Sequence, residues 1–78
     1  MKSFGLAIRK GRYLQFLESK EAAEKMGLNA SYLSRIETDV KPATMQLVKS
    51  ALRNKFISEE EAVEFMQQIF DRKNKSTS

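Results

Sequence analysis

The sequence predicts an all-α fold, a compact bundle of about five short helices forming one domain. Three observations lead there. The chain has 78 residues but only three Gly and one Pro, too few for a protein built from hairpins. Its apolar residues recur at three-to-four spacing rather than in strict alternation. Hydrophobic residues at 41% and charged residues at 31% suit a small core under a well-solvated surface rather than a disordered chain. A chain this short holds a single core that must be economical.

Each element follows from local signals. Ser3 offers an N-cap for a first helix running to about Gln15, with Phe4, Ala7 and Ile8, then Leu14 or Leu17, as its apolar stripe. Gly11 inside that stripe costs about 1 kcal/mol relative to Ala if exposed, or else admits a close neighbour. Ser19 offers a cap for a second helix over 20–26, whose stripe of Ala22, Ala23 and Met26 is mostly small and lets another helix approach. Gly27 stands where a left-handed C-terminal residue is wanted, Leu28 resumes the apolar pattern, and Asn29 caps a third helix over 30–37.

In that third helix Leu33 and Ile36 are the apolar pair, while Ser31, Ser34 and Arg35 point elsewhere. Residues 38–42 form a loop because Pro42 disfavours helical geometry at Lys41. Thr44 caps a fourth helix carrying Met45, Leu47, Val48, Ala51 and Leu52 and ending near Asn54, and Phe56 and Ile57 make an apolar link. Ser58 followed by Glu61 is a capping box, with Glu59 and Glu60 also at the positive end of the helix dipole. The fifth helix spans 58–70 with a broad apolar face, which closes a domain over 1–70 and leaves 71–78 as a polar flexible tail.

Composition narrows function. With neither Cys nor His, the chain has no disulfide framework, no thiolate metal site and no imidazole base, so no metal, cofactor or catalytic residue is expected. The acids Glu59, Glu60, Glu61 and Glu64 occupy successive faces of one helix start and are read as dipole electrostatics, not acid-base machinery. An enzyme is not expected. No apolar run is long enough to cross a bilayer and the N-terminus lacks a secretory apolar stretch, so the expectation is a soluble, cytoplasmic protein with no membrane partner. Fourteen Lys plus Arg against ten Asp plus Glu give a net charge of +4, a bias toward polyanions but not by itself a site.

The constellation that carries function is the pair of short helices joined by Gly27-Leu28-Asn29. The first is lined with Ala, so it can cross the second closely, and the second presents small polar and basic groups, which a DNA-reading helix requires. Together, Gly5-x-x-Ile8-Arg9-x-x-Arg12, then Ala22-Ala23-Glu24-Lys25-Met26-Gly27-Leu28, then Ser31-Tyr32-Leu33-Ser34-Arg35-Ile36-Glu37 and Pro42 resemble the lambda repressor and Cro-like helix-turn-helix superfamily. The resemblance covers roughly residues 4–51.

What the resemblance implies is a regulator of the repressor type, binding double-stranded DNA in a bacterial, phage or plasmid context. It implies that Ala30, Ser31, Ser34 and Arg35 lie against base edges, that Ser19, Asn29, Tyr32, Thr38 and Lys41 lie near phosphates, and that Arg12 and Glu37 form a partly buried ion pair. The sequence departs from the family at Ser19, usually Gln, at Ala22, usually Leu, at Phe16, often Gly, and at Asp39, where Gly often follows the reading helix. Asp tolerates the left-handed conformation better than most residues. Ala30 lacks the bidentate adenine contact of a Gln but fits a thymine methyl, which leaves Arg35, able to donate two bonds to guanine, as the main direct reader.

Outside that motif Arg35 would read as a solvated helix charge. Tyr32 either packs on the preceding helix or touches DNA, and Lys2, Lys20 and Lys41 are either surface charges or phosphate contacts that act collectively through counterion release. The basic stretch 72–75 reads as a solvated tail. The fifth helix has more apolar surface than a four-helix core needs, so Phe56, Phe65 and Ile69 are expected to complete the core while Val63, Met66 and Phe70 form a dimer or partner surface. Two functions compete: a sequence-specific regulator bound as a homodimer to half-sites about 34 Å apart, and an interaction protein, such as an antitoxin or accessory regulator, whose final helix binds a partner protein.

Overall fold

Helix ends set this architecture, because every connection is short and each helix must stop where the next begins. The computed structural model describes residues 3–77, with side chains to residue 72. The elements are α1 (Phe4–Leu14), α2 (Ser19–Lys25), α3 (Ala30–Glu37), α4 (Met45–Arg53) and α5 (Glu59–Thr77), and there is no strand among the described residues. Lys2 and the side chains at 73–75 lie outside the described set.

Three helices begin on the expected caps. Ser3 Oγ accepts from the Leu6 N–H at 3.1 Å, Asn29 Oδ1 from the Tyr32 N–H at 2.7 Å and Thr44 Oγ1 from the Leu47 N–H at 3.2 Å. The capping box of α5 is formed in both directions, with Ser58 Oγ accepting from the Glu61 N–H and Glu61 Oε1 accepting from the Ser58 N–H. The start of α2 corrects the sequence reading: Glu18 is the N-cap and Ser19 is the first helical residue. The Glu21 carboxylate reaches back to the Glu18 N–H at 3.1 Å, which moves the start one residue toward the N-terminus.

The first four helices all end on a residue with positive φ: Phe16 at 58°, Gly27 at 73°, Asp39 at 62° and Lys55 at 63°. In each case the next N–H closes a longer loop back to the helix, Leu17 to Arg12 O, Leu28 to Ala23 O, Val40 to Arg35 O and Phe56 to Ala51 O. This satisfies carbonyls that would otherwise lack partners and turns the chain back over its own last turn. Leu17, Leu28 and Phe56 are thereby delivered to the core. Leu17, not Leu14, therefore completes the apolar stripe of α1, and Leu14 is exposed.

Ile8, Leu33, Ile36, Val48 and Phe65 are the large side chains fully withdrawn from solvent, and Phe4 meets Phe65 edge to face with ring centroids 5.1 Å apart. Phe56 and Ile69 join this core, and Met66 packs against it. A Cβ on Gly11 would collide with the Phe56 backbone, so this glycine serves close packing between α1 and the link before α5. Polar side chains tie the remaining ends: Gln15 Nε2 donates to Asn54 O and Lys55 O, and Asn54 Nδ2 donates to Lys25 O and Ser50 O.

The fifth helix continues through Thr77 instead of ending at Phe70. The apolar stripe does end there, but no Pro or Gly follows it, and once a helix is nucleated polar residues extend it at only a small cost each. Arg72, expected in the tail, lies on this helix and donates to Ala43 O at 3.0 Å, fastening α5 to the loop before α4.

Candidate nucleic-acid interface

The turn at Gly27 sends α3 across α2, and the small side chains Ala22 and Ala23, both buried, permit the close crossing. On the inward side of α3, Leu33 and Ile36 have no accessible surface. On the outward side Ala30, Ser31, Ser34 and Arg35 are all exposed. The helix thus presents one methyl, two hydroxyls and one guanidinium on a rod gripped from behind, with no bulky apolar side chain among those four.

Position along the rod is fixed by the ion pair. Arg12 Nε donates to Glu37 Oε2 at 2.8 Å and Arg12 Nη2 to Glu37 Oε1 at 2.9 Å, a bidentate pair with both residues buried. The same guanidinium donates to Leu17 O at 3.3 Å, so one side chain holds α1, the loop before α2 and the last turn of α3. Hydrogen bonding to Glu37 raises the Arg12 pKa above its ordinary value against an opposing effect of burial. Because the folded pKa is raised, Arg12 stays charged throughout the ordinary pH range, and its side of the pair is lost only in strongly alkaline solution. The Tyr13 ring lies 4.8 Å from Arg12 Cζ.

Asn29, Thr38 and Lys41 are exposed at the two ends of α3. Asn29 uses Oδ1 for capping, and the Thr38 hydroxyl donates back to Ser34 O at 3.0 Å, which keeps it close to the helix end. Lys41 is held by its own N–H on Arg35 O. Ser19 is half-buried at the start of α2. Tyr32 is half-buried against the core and borders an open cleft of about 1040 Å³ with Met26, Leu28, Met45 and Ile69. Val63 and Phe70 are exposed on α5, whereas Met66 is half-buried.

Two contributors make side-chain contacts that the sequence reading did not assign. Asp39 accepts from Ser3 Oγ at 2.7 Å and from the Gly5 N–H at 3.3 Å, so the left-handed residue after α3 also caps α1. Arg9 places Nε 3.5 Å from Glu37 Oε1 as a second cation on the buried carboxylate. Its signal is present in sequence, since Arg9 lies three residues before Arg12 and shares its helix face. The Asp39 contacts span more than thirty residues, and no local pattern announces them.

No family model, curated protein or solved structure matches the chain. Among the described residues no helix is long and apolar enough to cross a membrane, and no cluster of acids could hold a metal ion.

Proposed function

We propose that this chain is a sequence-specific, double-stranded DNA-binding regulator of the repressor type, not an enzyme, with a helix-turn-helix made of α2 and α3 and a reading helix at 30–37. It acts as a homodimer, because one short helix contacts too few base pairs to select an operator. One observation carries the reading: Ala30, Ser31, Ser34 and Arg35 share the solvent side of a helix whose other side is wholly buried. Arg35 donates to a guanine edge, Ala30 meets a thymine methyl, and Asn29, Thr38 and Lys41 flank the helix at phosphate level, with Ser19 at the start of α2. The basic net charge of +4 supplies the salt-dependent part of binding.

Selection of duplexes from a random pool tests this. Arg35→Ala is expected to relax preference at one base position, a loss of about 1 to 3 kcal/mol of discrimination there. Lys41→Ala is expected to weaken all duplexes alike and to flatten the salt dependence. Equal losses on selected and random DNA for Arg35→Ala, or no duplex bound in dilute salt, would remove the reading.

The second reading, a scaffold that binds a partner protein through its last helix as an antitoxin or accessory regulator does, has one observation in its favour. Val63 and Phe70 are 62% and 53% exposed on α5, more apolar surface than a free helix of this size needs to show. The two readings separate on whether DNA binding survives Phe70→Ser with the salt dependence unchanged.

A further inference from the structure

The exposed large apolar side chains are concentrated not on α5 but on α1 and the turn after it. Leu6, Tyr13, Leu14 and Phe16 are 58%, 60%, 70% and 93% exposed, and with the stems of Arg9 and Lys10 they line an open apolar groove of about 450 Å³. Phe16 is doubly unfavourable where it stands. It holds φ at 58°, a conformation that costs a residue with a Cβ about 1 to 2 kcal/mol, and it leaves a benzyl group in water. A glycine there would avoid both penalties, and Phe16 is not among the side chains packed against the core.

We propose that this face of α1 is a homodimer interface whose occupant is the first turns of α5 from a second copy. The groove rim is basic at Lys10 and at Arg9, whose guanidinium also meets Glu37. The exposed start of α5 is its counterpart in sign, with Val63 standing between Glu59 and Glu60 at helical spacing. The two faces are also neighbours within one molecule, since Lys10 and Leu14 border the same cleft as Ser58 and Glu59. A two-fold axis at the boundary of adjacent patches of opposite sign sets each against its complement, α1 on the partner's α5 and α5 on the partner's α1, which gives two identical contacts and a closed dimer. Ala30, Ser31, Ser34 and Arg35 take no part in the interface, so both reading helices stay open. The proposal deepens the homodimer named above and rests on that reading for its role at DNA, but association is measured without DNA, so the two fail separately.

Sedimentation equilibrium of the full chain is the test. The parent is expected to dimerise with concentration. Phe16→Gly, which removes the side chain without touching the core, is expected to weaken association roughly tenfold or more, as is Lys10→Glu. Adding Glu59→Lys and Glu60→Lys to Lys10→Glu is expected to recover most of the loss, with unchanged circular dichroism showing that the fold is kept. A parent that stays monomeric at millimolar concentration overturns the proposal. So does a dimer that survives Phe16→Gly but dissociates on Phe70→Ser, which would place the interface further along α5.

Discussion

Helices α1 and α3 share an ion pair, yet their solvent sides differ in kind. On α3 the exposed positions hold Ala30, Ser31, Ser34 and Arg35, and on α1 and the turn after it they hold Leu6, Tyr13, Leu14 and Phe16. Both helices bury an apolar side equally well, with Ile8 on one and Leu33 and Ile36 on the other out of contact with water. Core formation therefore explains neither outer face. A small, polar, basic face suits a hydrated, charged groove, and a broad apolar one suits another protein surface. The bundle serves to hold the two faces in a fixed relation, and the Arg12–Glu37 pair is where that relation is enforced.

The most damaging way to break the relation is to remove the cation. Arg12→Ala leaves the Glu37 carboxylate buried with only the longer 3.5 Å contact from Arg9, and a loss of about 3 to 5 kcal/mol in urea-induced unfolding is expected. For a domain whose total stability is on the order of 5 to 15 kcal/mol, that is a large share. A loss below about 1 kcal/mol would mean that the pair does not lock α1 to α3.

A smaller break comes from steric pressure at the other end of the same contact. A Cβ on Gly5 would press into the carbonyls of Ile36 and Glu37, backbone atoms that cannot rotate away. Gly5→Ala gains up to about 1 kcal/mol of helix propensity, but displacement of the last turn of α3 should outweigh it, for a net loss of about 1 to 3 kcal/mol. Thermal unfolding measures the sign. A gain in stability would show that α1 does not approach α3 this closely.

How much of this was legible before the coordinates depends on the range of each interaction. Ser3, Asn29, Thr44 and Ser58 are readable as helix starts because a cap and its N–H are three residues apart. Ser19 misleads because Glu18 and Glu21 make a competing start one residue earlier, and spacing alone does not rank the two. The stripe ending at Phe70 marks the end of burial, whereas helix length is set by breakers, which 71–77 lack. At the candidate interface, periodicity places Leu33 and Ile36 inward and Ser31, Ser34 and Arg35 outward. Tyr32 turns toward a cleft built partly from Met45 and Ile69, and Asp39 bonds to Ser3 and Gly5, partners too far along the chain for any local pattern.

The finest test compares two turns of the same shape. Phe16 and Gly27 end α1 and α2 with φ of 58° and 73°, each followed by a leucine packed against the core. A Cβ on Gly27 would meet nothing within 4 Å, so Gly27→Ala isolates the backbone penalty, and a loss of about 1 kcal/mol is expected. Phe16→Gly is the reverse exchange. It removes a left-handed penalty of about 1 to 2 kcal/mol and adds roughly 0.5 to 1 kcal/mol of unfolded-state entropy, so a net gain of about 0.5 to 1 kcal/mol is expected in the monomer. Protein concentration decides how that gain is read. At concentrations low enough to keep the chain monomeric the variant should be the more stable, and as concentration rises the parent should gain on it, since a dimer that uses Phe16 stabilises the parent more than the variant by mass action. A variant less stable than the parent even in dilute solution would show that the benzyl group serves the fold itself, and the contrast between the outer faces of α1 and α3 would then lose its meaning.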